Sequence, residues 1–138
     1  MINKVSLDTN SLNDKQLLSL LRSKVSKKEL KIILSPIVIL EYGFFQELHN
    51  KRPQFLRLLK ILKVEIEPIK KIDAIIAIKH CLIYKDDSKG PENYFRDALI
   101  ASLSERLQIT LITNNINNFK GLPVHLKLTS KEAIETLM

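Results

Sequence analysis

Asp8 ends a short apolar stretch near the start of the sequence and is followed by two small hydrogen-bonding residues, Thr9 and Asn10. Val5 and Leu7, which lead into Asp8, predict a strand. Because open parallel sheets bind ligands outside the carboxyl ends of their strands, we expect this carboxylate to face a crevice. Asp8 taken alone is compatible with a metal site, a phosphoryl-accepting nucleophile or a helix cap.

Glu41 is a second carboxylate in an unexpected place, because it lies inside an apolar stripe of the helix predicted to begin at Ser35 and Pro36. The stripe consists of Ile37, Phe44, Phe45 and Leu48. A core-facing carboxylate is costly to desolvate unless it is paired, protonated or bound to a cation. The alternative interpretation is that Glu41 lies on the solvent-exposed edge of the stripe.

Asp97 directly precedes the apolar segment 98–101, which predicts a helix that is buried nearly all round. Its carboxylate must therefore point towards polar surroundings. Taken alone, Asp97 is explained equally well as an ordinary acid near a helix N-terminus, where the helix dipole favours negative charge.

A polar cluster at 113–118, beginning with Thr113, comes at the end of a predicted strand. A turn or cap explains any single asparagine there. However, this cluster and Asp8 both follow strands, and Glu41 lies one helical turn past another strand end. Three converging carboxylates repel one another, and Mg²⁺ or Mn²⁺, which prefer oxygen ligands, would remove that conflict. The three histidines and Cys81 lack the spacing of zinc ligands.

Short apolar runs alternate with helical patterns along the whole chain. Strands are predicted around 5–7, 32–34, 64–68, 109–113 and 124–128, and a helix capped by Asn10 or Asn13 follows the first of them. This alternation predicts a single α/β domain over residues 1–138, in which a parallel sheet of four or five strands lies between helical layers.

Composition limits the classes of protein to which the chain can belong. With 138 residues, 45% of them hydrophobic, the chain is long enough for one packed domain. Cys81 is the only cysteine, and neither a signal-peptide core nor a membrane-length apolar run is present, so we expect a cytoplasmic protein. The formal charge of +7 is compatible with RNA or DNA as a partner, although lysine-rich faces are often simply solvated.

Four short motifs together resemble the PIN-domain family, especially the VapC-like ribonuclease toxins of prokaryotic toxin–antitoxin pairs. They are Leu-Asp-Thr-Asn at 7–10, Leu-Glu-Tyr at 40–42, Arg-Asp-Ala-Leu-Ile-Ala at 96–101, and Leu-Ile-Thr-Asn-Asn at 111–115 with Asn-Phe at 118–119. Each motif is short, but they occur in the family's order and span nearly the whole chain.

The resemblance implies a three-layer α/β/α sandwich and a magnesium- or manganese-dependent nuclease site. Asp8, Glu41 and Asp97 match the family's acidic positions, and Thr113 matches a polar residue that supports them. We assign supporting roles to Thr9, Asn10, Thr113, Asn115 and Asn118. The last two depart from the pattern, because many relatives carry an aspartate at one of these positions, so metal affinity and a second metal are in question.

The resemblance also implies an RNA substrate, a homodimer and a cognate antitoxin protein. Phe44, Phe45, Phe55 and Leu56 are candidates for the antitoxin surface, although core packing explains them equally well. One alternative function is a PIN-fold binding or assembly module with little or no catalysis. Another is a phospho-accepting aspartate domain, which the absence of a second aspartate two positions after Asp8 disfavours.

Overall fold

The computed structural model describes residues 2–138, which form five strands, six α-helices and four short 3₁₀ turns. The strands are β1 (Lys4–Leu7), β2 (Lys31–Leu34), β3 (Glu65–Ile66), β4 (Thr110–Ile112) and β5 (Lys127–Leu128). The helices are α1 (Lys15–Ser26), α2 (Pro36–Leu48), α3 (Arg52–Ile61), α4 (Lys71–Leu82), α5 (Phe95–Leu107) and α6 (Ser130–Leu137). The 3₁₀ turns are Thr9–Asn13, Pro91–Tyr94, Ile116–Phe119 and Val124–Leu126.

The five strands form one parallel sheet in the order β3-β2-β1-β4-β5, which confirms the predicted α/β fold. In the register of this sheet, Val5 of β1 lies opposite Ile32 of β2 on one side and Thr110 of β4 on the other. The strand order reverses between β1 and β4. Such a switch point opens a crevice outside the carboxyl ends of the two strands, where ligands bind in open α/β sheets.

The central strands lie in the hydrophobic core, whereas the edge strands are more exposed. Val5, Leu7 and Leu111 are fully buried, as expected for parallel strands covered on both faces. The two-residue strand β3 is exposed and β5 is half-buried. The polar residues that follow β1 and β4 are therefore held by the most constrained part of the sheet.

The start of α1 differs from the prediction that Asn10 or Asn13 caps it. The cap is Asp14, whose Oδ1 accepts a hydrogen bond from the Leu17 N–H at 3.0 Å. Residues 9–13 form a 3₁₀ turn instead, because Ser11 donates a hydrogen bond to the Ile112 carbonyl at 2.9 Å. This contact holds the turn against the end of β4 before α1 begins.

The prediction of a strand over 124–128 is correct only in its last two residues. Val124 is 86% exposed and Leu126 only 4%. A 3₁₀ turn places these side chains on opposite sides, and β5 begins at Lys127. The segment from Pro91 to Tyr94 forms a 3₁₀ turn, and α5 follows it directly from Phe95.

A buried ion-pair cluster joins α4, α5 and the segment after β3. Arg106 Nε lies 2.7 Å from Asp73 Oδ1, and Arg106 Nη1 lies 2.9 Å from Glu67 Oε1. Burial alone raises the pKa of Asp73, but hydrogen bonds from Arg106 and the Lys70 N–H outweigh that effect and lower the pKa below its ordinary value. The cluster fixes the position of α5 relative to the sheet.

No helix within residues 2–138 is long and apolar enough to cross a membrane.

Candidate active site

Asp8 lies at the switch point of the sheet, directly after β1. Its backbone N–H donates to the Ile112 carbonyl of β4 at 3.0 Å, so the two strand ends are held together. Its carboxylate is almost fully buried, and its two oxygens accept from different donors. Oδ1 accepts from the Thr9 N–H at 2.8 Å, and Oδ2 accepts from the Thr113 hydroxyl at 2.9 Å.

Thr113 links the segment after β4 to Asp8. The side chain is fully buried, and its Oγ1 also accepts from the Asn115 N–H at 3.0 Å. Asn115 therefore contributes through its backbone, while its side chain is exposed. Asn10 is exposed in the 3₁₀ turn. Within residues 2–138, it forms no hydrogen bond with any of the three carboxylates.

Glu41 reaches the same region from α2. Ser35 caps this helix by accepting from the Ile37 N–H at 3.2 Å, as predicted. Glu41 Oε1 accepts from the Thr9 hydroxyl at 2.7 Å, and the side chain is 28% exposed.

The predicted apolar stripe of α2 is wrong. The buried residues of the helix are Val38 and Tyr42, whereas Phe44, Phe45 and Leu48 are each more than half exposed. Glu41 therefore lies at the edge of the buried face and not among core side chains.

Asp97 lies in the first turn of α5 with its side chain 3% exposed. Its Oδ2 accepts from Asn118 Nδ2 at 2.8 Å, so the asparagine that departs from the family pattern touches a candidate carboxylate. Burial raises the pKa of Asp97 above its ordinary value, and the charge of Arg96 and the Asn118 hydrogen bond offset only part of that effect.

Arg96 contacts all three candidate carboxylates. Its Nε donates to Glu41, its Nη1 to Asp97, and its Nη2 lies 3.4 Å from Asp8 Oδ1. Burial alone lowers the pKa of Arg96, but the hydrogen bond to Glu41 and the three negative charges raise it above the ordinary value. Arg96 was not among the residues predicted to form the site. Its place beside Asp97 in a helix N-terminal turn was the available signal.

The donor chemistry of the site fits a hard divalent cation. Asp8, Glu41 and Asp97 supply carboxylate oxygens, the ligand type that Mg²⁺ and Mn²⁺ prefer. Nevertheless, within residues 2–138 no group of three His, Cys, Asp or Glu side chains already has the arrangement of a metal site. Each carboxylate contacts a different nitrogen of Arg96, so the guanidinium lies between them.

A polar pocket of about 440 Å³ lies beside Asn118. It is lined by Lys89, Asn93, Tyr94 and Asn118, and Asn118 connects it to Asp97. The ring of Tyr94 stacks on that of Tyr84 with centroids 3.8 Å apart, and Lys120 Nζ lies 5.8 Å from the Tyr84 centroid. The pocket thus combines basic and amide groups next to an acidic centre.

A sequence model of the PIN domain matches residues 5–123, which include Asp8, Glu41, Asp97 and Thr113. The chain belongs to the PIN domain family. The predicted family resemblance is therefore confirmed. A comparison with curated proteins found no significant match.

Solved structures share the fold of this PIN domain at low sequence identity. A toxin–antitoxin complex from Klebsiella pneumoniae matches with a TM-score of 0.65 and 19% identity, covering 91% of this chain and 97% of that chain. VapBC2 from Rickettsia felis, bound to promoter DNA, matches with a TM-score of 0.66 and 22% identity, covering 91% of this chain and 98% of that chain. DNA-bound VapBC from Salmonella typhimurium matches with a TM-score of 0.67 and 18% identity, covering 94% of this chain and 99% of that chain. The resemblance to VapC-like PIN domains therefore holds at the level of the fold.

Proposed function

We propose that this PIN domain protein is a metal-dependent endoribonuclease, the toxin of a toxin–antitoxin pair. Membership of the PIN domain family supports a nuclease role in general. The observation that carries the proposal is the convergence of Asp8, Glu41 and Asp97 at the switch point of the sheet, within reach of one guanidinium. These three residues are the ones we assign to catalysis and to metal binding.

The metal we propose is Mg²⁺ or Mn²⁺. When bound, such an ion polarises a non-bridging phosphate oxygen and lowers the pKa of an attacking water. The chain's own residues orient the carboxylates: Thr113 donates to Asp8, Thr9 donates to Glu41 and Asn118 donates to Asp97. Each of the three carboxylates is thus held by a different donor residue.

RNA is the substrate we propose, by resemblance to VapC-like toxins and in agreement with the formal charge of +7. Lys89 lines the pocket together with Asn118, and Lys120 Nζ lies near the ring of Tyr84, which stacks on the pocket residue Tyr94. Such cations position a phosphate backbone without reading its sequence. The pocket is therefore the region where we expect the strand adjoining the cleaved bond to bind.

Two apolar surfaces support a protein partner and a homodimer. The α2–α3 patch, whose members are more than half exposed, consists of Leu40, Phe44, Phe45, Leu48 and Leu56. The α4–α5 groove, of about 480 Å³, is lined by residues that include Ile78, Leu82 and Phe95. Extended apolar surface on a folded protein commonly marks an interaction site. We assign the patch to a cognate antitoxin and the groove to a second copy of the chain.

Removal of divalent metal tests the proposed reaction directly. The purified protein should cleave single-stranded RNA in Mg²⁺ or Mn²⁺, lose that activity in EDTA, and regain it when Mn²⁺ is added in excess. Single-stranded DNA of the same sequence serves as the comparison substrate. Cleavage of RNA that continues unchanged after exhaustive chelation would contradict a metal-dependent mechanism.

A catalytically weak PIN-fold binding module is the second candidate function. Asn115 and Asn118 favour it, because neither brings the negative charge that an aspartate would add to the site. An Mn²⁺ titration separates the two functions, since a module without a carboxylate site should show no millimolar binding that depends on Asp8. The comparison variant is Asp8→Asn.

Asn118→Asp should make the stability of the protein depend on metal. Without metal, the free energy of unfolding should fall by about 1.5–3 kcal/mol, because a hydrogen bond to the charged Asp97 is replaced by repulsion between carboxylates. Added Mn²⁺ should restore it. Urea unfolding in EDTA and in Mn²⁺ provides the measurement. Asn117→Asp, an exposed neighbour with the same change in charge, is the control; equal stability of the two variants in EDTA would contradict the prediction.

A further inference from the structure

Arg96 is the charged residue of the site that the proposed reaction leaves without a role. Its guanidinium uses three different nitrogens to reach Glu41, Asp97 and Asp8. A planar guanidinium offers five N–H donors in a rigid fork, which suits it to bridging several carboxylates. A cation of the chain itself thus contacts the three groups that we assign to metal binding.

The burial of the acidic groups explains why such a counter-charge is needed. The side chains of Asp8 and Asp97 are only 4% and 3% exposed. Like charges held close together and away from water disfavour their ionised forms unless an opposite charge compensates them. Arg96 supplies that opposite charge, so the acidic cluster does not require a metal for its folding.

The exposure of Arg96 distinguishes it from the other arginine of α5 that bridges carboxylates. The Arg96 side chain is 39% exposed, whereas that of Arg106 is 14% exposed. A long, partly exposed arginine can withdraw its charged end into water while its stem stays on the protein surface. Arg96 is therefore placed to leave its partners without unfolding, whereas Arg106 is enclosed by Asp73 and Glu67.

We propose that Arg96 is an internal counter-cation that competes with the divalent metal for the oxygens of Asp8, Glu41 and Asp97, and so sets metal affinity. This inference rests on the proposed metal site. Competition is reciprocal: any affinity that the carboxylates have for Arg96 is subtracted from their apparent affinity for the ion. Arg96 thus stabilises the fold at low metal concentration and weakens metal binding.

Arg96→Gln tests the competition with a readout that does not involve cleavage. Mn²⁺ affinity, measured by calorimetric titration, should become about tenfold tighter, within the range typical of coupled binding equilibria. The unfolding temperature in EDTA should fall, and Mn²⁺ should raise it more in the variant than in the wild type. Arg96→Lys keeps the charge without the fork and should bind Mn²⁺ with an affinity between those of the wild type and Arg96→Gln.

Arg52→Gln is the matched control. Arg52 pairs with Glu47 on the surface, so this variant loses the same charge without touching the acidic cluster, and its Mn²⁺ affinity should equal that of the wild type. If Arg96→Gln and Arg96→Lys both bind Mn²⁺ with wild-type affinity, the proposed competition is wrong, although the metal site is still supported. If the Gln variant does not fold, wild-type affinity in the Lys variant overturns the competition. Absence of Mn²⁺ binding in the wild type and all variants overturns the metal site as well.

Discussion

Asp97→Asn should reduce metal-stimulated RNA cleavage by about 100-fold or more while leaving the fold intact. Metal-based charge stabilisation contributes several kcal/mol to catalysis, and each ~1.4 kcal/mol of barrier corresponds to tenfold in rate. The variant removes the negative charge of a carboxylate whose side chain is only 3% exposed, and it keeps the size of that side chain. Cleavage of a labelled RNA in Mn²⁺, under single-turnover conditions, measures the loss.

The structure indicates why Asp97→Asn should still fold. Asn118 can donate to the amide oxygen that replaces Asp97 Oδ2, and Arg96 retains Asp8 and Glu41 as partners. Circular dichroism and thermal unfolding verify the fold. Asp86→Asn, an exposed acid of the preceding loop, is the charge-matched control and should cleave like the wild type. A rigorously purified Asp97→Asn protein with wild-type activity would refute the assignment.

Arg106→Gln should have the largest effect on stability, lowering the free energy of unfolding by about 3–5 kcal/mol, as when one partner of a buried ion pair is removed. Arg106 contacts both carboxylate oxygens of Asp73, at 2.7 and 3.1 Å, and that side chain is 3% exposed. Without Arg106, the one close donor that the buried charge keeps within residues 2–138 is the Lys70 N–H, at 2.8 Å. Urea unfolding at pH 7 measures the change.

The pH dependence of this loss provides an internal check. The pKa of Asp73 is lowered in the folded protein, so the ion pair stabilises the fold above the ordinary value of 3.8 and loses that contribution as pH falls through the lowered pKa. The difference in the free energy of unfolding between the wild type and Arg106→Gln should therefore become smaller below about pH 4. If this difference in stability stays constant from pH 7 to pH 3, loss of the ion pair is not the cause of the destabilisation.

Two comparison variants isolate the buried charge. Arg52→Gln removes an exposed arginine that pairs with Glu47 and should leave stability nearly unchanged. The double variant Asp73→Asn/Arg106→Gln removes the orphaned charge as well, so it should be more stable than Arg106→Gln alone. If the double variant loses as much stability as the two single variants lose together, packing contributes more to this contact than charge does.

The central part of the fold was predictable because its strands are buried on both faces. Ile32 and Leu34, like Leu111 and Ile112, form uninterrupted apolar runs, which is the pattern expected of central parallel strands. The edge strands were harder to delimit. β5 consists of only two half-buried residues, and the turn before it places Leu126 in the core without a strand.

The environment of the acidic residues was only partly predictable. Asp8 and Asp97 were expected in polar surroundings near apolar elements, and both lie there. Glu41 does not lie inside a core-facing stripe as predicted, because an apolar stripe on a helix has the same period whether it faces the core or the surface. Arg96 was missed because its contact with Glu41 joins residues 55 positions apart, and no local spacing encodes such a contact.

The central position of β1 has a consequence for the newly made chain. Asp8 leaves the ribosome before Thr113, which holds it in place and follows 105 positions later. A domain completes its folding as a unit, and pairing between distant segments is slow because a long loop must close first. The acidic centre therefore cannot assemble until β4 and Thr113 have emerged. The proposed nuclease activity can therefore begin only after β4 has left the ribosome.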